Sequence, residues 1–247
     1  MTELARSCPV VRTQSFAHIW SSNGERINMW NVIGEQNWDT ATVRVALFAH
    51  WDTRPTADQE YDATARRKPI PGANDGASGV AVLLELARAL KDLPASIGIQ
   101  YVFVDGEDLG PGLDEMFLGA RAYADHLPSK KPNYGILLDM IGDKDLAIPR
   151  DPASERYAPS LVKALYAHAK SVGLEKAFPN EPGPEIEDDH IPLNQAGIPT
   201  VDFIDFTYDA WHTLGDTPDK CSAESLGKVG KMLETWLRKP KPFQISN

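Results

Sequence analysis

The stretch GVAVLLELARALKDLPASIGIQYVFVD, residues 79–105, decides the fold. Its first part (79–93) strings strong helix formers at helical spacing, and its last part, IGIQYVFVD (97–105), is β-branched, aromatic and apolar almost throughout. A strand apolar on both faces is one covered on both faces. The same alternation continues outward. INMWNVIG (27–34), VRVALFAH (43–50), YGILLDMIG (134–142) and IPTVDFIDF (198–206) read as further strands. MFLGARAYADHL (116–127), SERYAPSLVKALYAHAKSVG (154–173) and AESLGKVGKMLETWLRK (223–239) read as helices. Strands alternating with helices predict an α/β chain with a mostly parallel central sheet and helices on both faces. Residues 1–26, mixed and polar, are expected to form an arm or a helix. No repeat, low-complexity tract or linker divides the chain, so residues 1–247 are expected to be one domain.

Composition narrows the partners. A net charge of −10 argues against nucleic acid and anionic membranes and favours a cationic group such as a free amine. Cys8 and Cys221 stand near opposite ends without metal-binding spacing, so no disulfide framework is implied. No apolar run approaches the ~20 residues of a membrane span. The start, MTELARSCPVVRTQ, has no apolar core of a signal peptide. A signal removed beforehand would leave the same picture, so the compartment stays open, periplasmic or secreted included.

Metal-type ligands collect where the strands end, which is where sites form in open α/β sheets. His50 and Asp52 close one strand as HWD; Asp105, Glu107 and Asp108 close another as DGED. Asp139 interrupts the apolar ILLDMI, His212 follows the last strand, Asp75 lies in GANDGASG, and Asp188, Asp189 and His190 form EDDH. Each has a bland reading. Asp75 and EDDH would serve as helix caps, DGED as a solvated turn and His212 as a structural histidine. Asp139 resists it, because a buried acid is costly unless paired or bound to a cation. Two long loops, 51–74 and 178–189, begin or lead to the same end of the sheet, and such loops are usually functional. Carboxylate, carboxylate and histidine with one open position is how catalytic zinc is held.

Together HWDTRP, GANDGASG followed by VLLELARAL, FVDGED, LLDMIG, EDDHIPL and AWHT resemble, in this order, the glutaminyl-peptide cyclotransferases (glutaminyl cyclases), relatives of the zinc-dependent M28 aminopeptidases. The similarity runs from about residue 28 to residue 238. It implies a three-layer αβα sandwich with a mixed, mostly parallel sheet. It also implies closure of an N-terminal glutaminyl residue of a peptide to pyroglutamate with release of ammonia. One zinc would be held by Asp75, Asp108 and His212. Glu107 would be the general acid/base, with Asp139 and Asp188 in a hydrogen-bonded carboxylate network around it. Trp211 would wall the substrate pocket, with Ile186, Glu187, Arg54 and Tyr208 also against the substrate. The chain is expected to act as a monomer. Departures are specific: Asp108 replaces the second Glu of the usual D-G-E-E, Ala49 and Val80 stand at the positions of the vertebrate disulfide, and the loop LGPGLDEMFLG is short and lacks a tryptophan. These traits resemble a compact bacterial member.

Two other readings stay open. A dinuclear zinc aminopeptidase would add a second metal on His50 and Asp139, bridged by Asp75, and Trp211 crowds the side where a longer peptide would lie. A non-catalytic binding domain on the same fold should show a broken ligand set, and this one is intact.

Overall fold

The computed structural model describes residues 1–238. Six strands form one mixed sheet in the order β1-β2-β4-β3-β5-β6. They are β1 (Val10–Ile19), β2 (Arg26–Gln36), β3 (Val43–His50), β4 (Ile97–Val104), β5 (Tyr134–Asp139) and β6 (Thr200–Ile204). β4, β3, β5 and β6 are mutually parallel; β2 runs antiparallel to β4 and to β1. Every residue of β4 is buried, as its unbroken apolar run requires.

Helices cover both faces. α1 (Ala77–Ala89), α4 (Pro159–Ser171) and α6 (Ala223–Leu237) pack Leu83, Leu165 and Leu233 against Val45, Leu47 and Leu138. On the other face α2 (Leu118–Asp125) and α5 (His190–Gln195) set Tyr123 and Leu193 against Phe48, Val102 and Leu137. The alternation of Leu47 and Phe48 between the two cores follows from the two-residue period of a strand. This is the expected three-layer sandwich.

Over residues 1–26, expected as an arm or helix, a single helical turn (Leu4–Arg6) leads into a ten-residue strand, β1, paired along its length from Val10↔Glu35 to Ile19↔Arg26. It is an edge strand with exposed and half-buried residues in alternation, so it lacks the apolar run that marks its neighbours. The helix expected over 154–173 is two: α3 (Pro152–Tyr157) ends at Ala158, and Pro159 opens α4. Proline disfavours helical geometry in the residue before it and cannot donate into a preceding turn. Residue 239, the last of the helix expected over 223–239, lies outside the described residues. Both cysteines are free, and among the described residues no helix is long and apolar enough to cross a membrane.

Candidate active site

The site is assembled from the carboxyl ends of β3, β4 and β5 and from the segments beyond them. His50, the last residue of β3, is fully buried; its Nε2 lies 3.1 Å from Asp75 Oδ1 and 3.1 Å from Asp139 Oδ1. Gly76 makes that approach possible, since a Cβ there would fall 2.3 Å from the same Nε2. The turn after β4 is held by Asp52, which accepts hydrogen bonds from the amides of Glu107 (3.2 Å) and Asp108 (3.0 Å). Gly106 stands there at φ 69°, in left-handed space that glycine enters freely, with its missing Cβ 2.7 Å from Met29 Sδ.

The bland readings do not describe these residues. No side chain caps α1, whose N-cap is Gly76, and the Asp189 side chain makes no cap hydrogen bond to α5. Glu107 and Asp108 are 7% and 1% exposed, so DGED is no solvated turn. His212, 5% exposed, faces the acids: its Nε2 is 3.3 Å from Asp108 Oδ1 and 3.7 Å from Asp75 Oδ2.

Among the described residues three trios of side chains could each hold an ion, with donor atoms within 4.8 Å of one another. They are Asp75, Asp108 and His212; His50, Asp75 and Asp139; and Asp188, His190 and Asp202. In the first, Asp108 Oδ2 is buried without a hydrogen-bond partner. Two carboxylates and an imidazole with an oxygen left over fit a divalent cation of the zinc type. In the second, the His50 ring is hydrogen-bonded to Asp139 at 3.1 Å.

Charge is concentrated here. Burial, then the charge of Asp108 and those of Asp188 and Asp189, push the Glu107 carboxyl well above its ordinary value, against the pull of His50. Burial, then Asp139 and Asp189, push Asp188 up as well. Asp189 is raised to about 8, first by burial, and Asp108 to about 6 by burial and then Asp75. Asp139 is raised by burial, with His50 opposing. Burial comes first in each case, and like-charged neighbours add to it, as expected where several carboxyls share one buried site.

A small cavity opens on this cluster. Asp75, Glu107, Asp108, Asp139, Asp188 and His212 line its polar side; Met116, Met140, Ile186, Ile204, Phe206 and Trp211 line the rest, with Glu187 at the rim. The Trp211 ring stacks on that of His212 (centroids 4.0 Å apart, 24° between planes) and meets Phe206 at 4.9 Å. The site residues expected from the sequence converge on this cavity, apart from two. Arg54 and Tyr208, expected against the substrate, do not line the cavity. Arg54 is turned toward Asp108 and Asp58, and Tyr208 donates its hydroxyl to Asp216 at 2.8 Å. Among the described residues no hydrogen bond joins the carboxylates of Glu107, Asp139 and Asp188. Their coupling is electrostatic, and His50 is the group that bonds Asp139.

Sequence reasoning missed Asp58, which accepts from His212 Nδ1 at 3.0 Å, and Asp216, which accepts from the amides of Asn74 (2.8 Å) and Asp75 (3.2 Å). The length of the 51–74 loop was the only signal for the first; nothing in GDTP marks the second.

Solved structures of closely similar proteins carry two activities in their names. A Bacteroides thetaiotaomicron glutaminyl cyclase bound to N-acetylhistamine superposes with a TM-score of 0.91 at 34% identity, covering 97% of this chain and 87% of that one. A leucine aminopeptidase precursor from the same organism gives the same TM-score and identity, covering 97% and 86%. Among curated proteins, the bovine glutaminyl-peptide cyclotransferase is 26% identical over 243 residues, 84% of this chain and 65% of its own length. The chain spans less than two thirds of the length of that relative and of others it matches. Over residues 31–237 the sequence matches peptidase family M28, and the chain belongs to that family.

Proposed function

We propose that the chain is a zinc-dependent glutaminyl cyclase that closes the N-terminal glutaminyl residue of a peptide to pyroglutamate. Relatives of equal similarity are named for cyclisation and for peptide hydrolysis, so the choice rests on the cavity. Its decisive feature is Trp211, stacked flat on His212 and backed by Phe206, which narrows the site over the candidate metal ligands. A cavity closed in this way suits one small side chain folding back on its own amine better than an extended peptide.

Asp75, Asp108 and His212 would hold one zinc. With zinc held there, the site would supply Lewis-acid polarisation of the substrate's γ-carbonyl. The α-amine nitrogen attacks the γ-carbon; a C–N bond forms, the bond to the amide nitrogen breaks, and ammonia leaves. Glu107 takes the proton from the attacking amine and delivers it to the departing nitrogen, work for which its raised pKa suits it. Trp211 and Ile186 receive the apolar methylenes, and Glu187 at the rim and Asp188 within offer carboxyl oxygens to the α-amine.

Elemental analysis of gently purified protein is expected to give one zinc per chain. Two tightly held zincs would support the dinuclear peptidase instead.

A further inference from the structure

We propose that Arg54 is a positioning residue that fixes two of the three metal ligands at once and so sets how tightly the cation is held. The inference rests on the metal reading above. Arg54 lies in the 51–74 loop and is 5% exposed. Its Nη1 donates to Asp108 Oδ1 at 3.1 Å; its Nε and Nη2 donate to Asp58 Oδ2 at 3.1 and 2.8 Å. The other oxygen of Asp58 meets His212 Nδ1 at 3.0 Å. One unbroken chain of contacts therefore runs from Asp108 through Arg54 and Asp58 to His212.

Each contact has a consequence at the ligand it reaches. Asp58 fixes the proton of His212 on Nδ1, which leaves the Nε2 lone pair facing Asp75 and Asp108. Arg54 occupies Oδ1 of Asp108, and Oδ2 of the same carboxylate is the buried oxygen without a hydrogen-bond partner. Arg54 and His212 Nε2 thus both approach Oδ1, at 3.1 and 3.3 Å, and hold the carboxylate in one orientation. Gly110, at φ 54°, lets the chain pass over the guanidinium, since a Cβ there would lie 2.5 Å from Nη1. A lysine cannot reproduce the arrangement, because a single ammonium is a point charge without the fork that spans two carboxylates.

Two effects oppose each other. A guanidinium on a ligand oxygen draws charge from the carboxylate and weakens its bond to a cation. Holding both ligands in place removes the cost of ordering them. Loss of such outer contacts typically weakens metal binding by about 10–100-fold, so ordering prevails.

The test is zinc affinity by competition with a chromophoric chelator, on wild type, Arg54→Lys, Arg54→Gln and Asp58→Asn. Folding of each metal-free form is followed by circular dichroism. Arg54→Lys and Asp58→Asn are expected to bind zinc about 10–100-fold more weakly while folded. The Asp58→Asn/Arg54→Gln double variant should be little worse than the poorer single one, because both break the same chain. Cobalt-loaded Arg54→Lys should show altered visible bands, as expected when a ligand shifts. Wild-type affinity in folded Arg54→Lys overturns the inference while leaving the zinc reading intact. Absence of zinc binding by the wild type overturns both.

Discussion

Glu107 combines three properties that the proposed chemistry needs in one residue. It is buried, it is adjacent in sequence to Asp108, a proposed zinc ligand, and its carboxyl is held well above the ordinary range by burial and then by that neighbour's charge. A general base must be ionised to accept a proton, so cyclisation should decline as pH falls through this raised value. Glu107→Gln is expected to keep its zinc and lose roughly 10²–10⁴ in turnover, the usual worth of general acid–base help. Turnover close to wild type in a zinc-loaded variant would remove Glu107 from the mechanism. At this scale the sequence is legible where a residue breaks a pattern. Asp139 interrupts an apolar strand, and a buried acid needs an explanation. Asp58 and Asp216 interrupt nothing. Their importance arises only when the fold brings a loop and a turn against His212 and the amide of Asp75.

Elements on both sides of the sheet hold these side chains at a common end. β3 delivers His50, β5 delivers Asp139, and α1 begins two residues after Asp75. The buried parallel strands were plain from their apolar runs, because being covered on both faces removes polar residues. β1 was hidden by the opposite condition: an edge strand with half-buried residues has no such run, and its pairing partner 26–36 is remote from any helix signal. The break between α3 and α4 needed the local effect of Pro159 to outweigh good helix formers on both sides. α1 fastens to the sheet through side chains such as Leu83, which has no exposed surface. Leu83→Ala is expected to cost about 2–5 kcal/mol in urea unfolding, as a cavity in a core of this kind does. A loss below about 1 kcal/mol would mean that α1 repacks freely and does not fix the position of Asp75.

Across the whole molecule, 35 acidic residues against 25 basic ones leave a net charge of −10, with several buried carboxyls stacked at one end of the sheet. Burial raises Asp105 to about 6 and Asp189 to about 8. A carboxyl raised on folding contributes stability at low pH and loses it as pH climbs through the raised value. Asp151 is opposite in sign: burial pushes it up, yet the hydrogen bond and charge of His190 prevail and hold it at about 2, so its contribution is lost in strong acid. The metal-free chain should melt at its highest temperature in mildly acidic solution and lose stability from pH 6 to 8. The zinc-loaded chain should decline less, because the ion offsets the charge. A metal-free melting temperature that rises over that range would contradict the electrostatic account. Ring closure itself is tested most directly by offering the zinc-loaded protein Gln-Phe and Leu-p-nitroanilide side by side. Ammonia from the first, with no p-nitroaniline from the second, is the predicted result; p-nitroaniline without ammonia would contradict it and make the enzyme a peptidase.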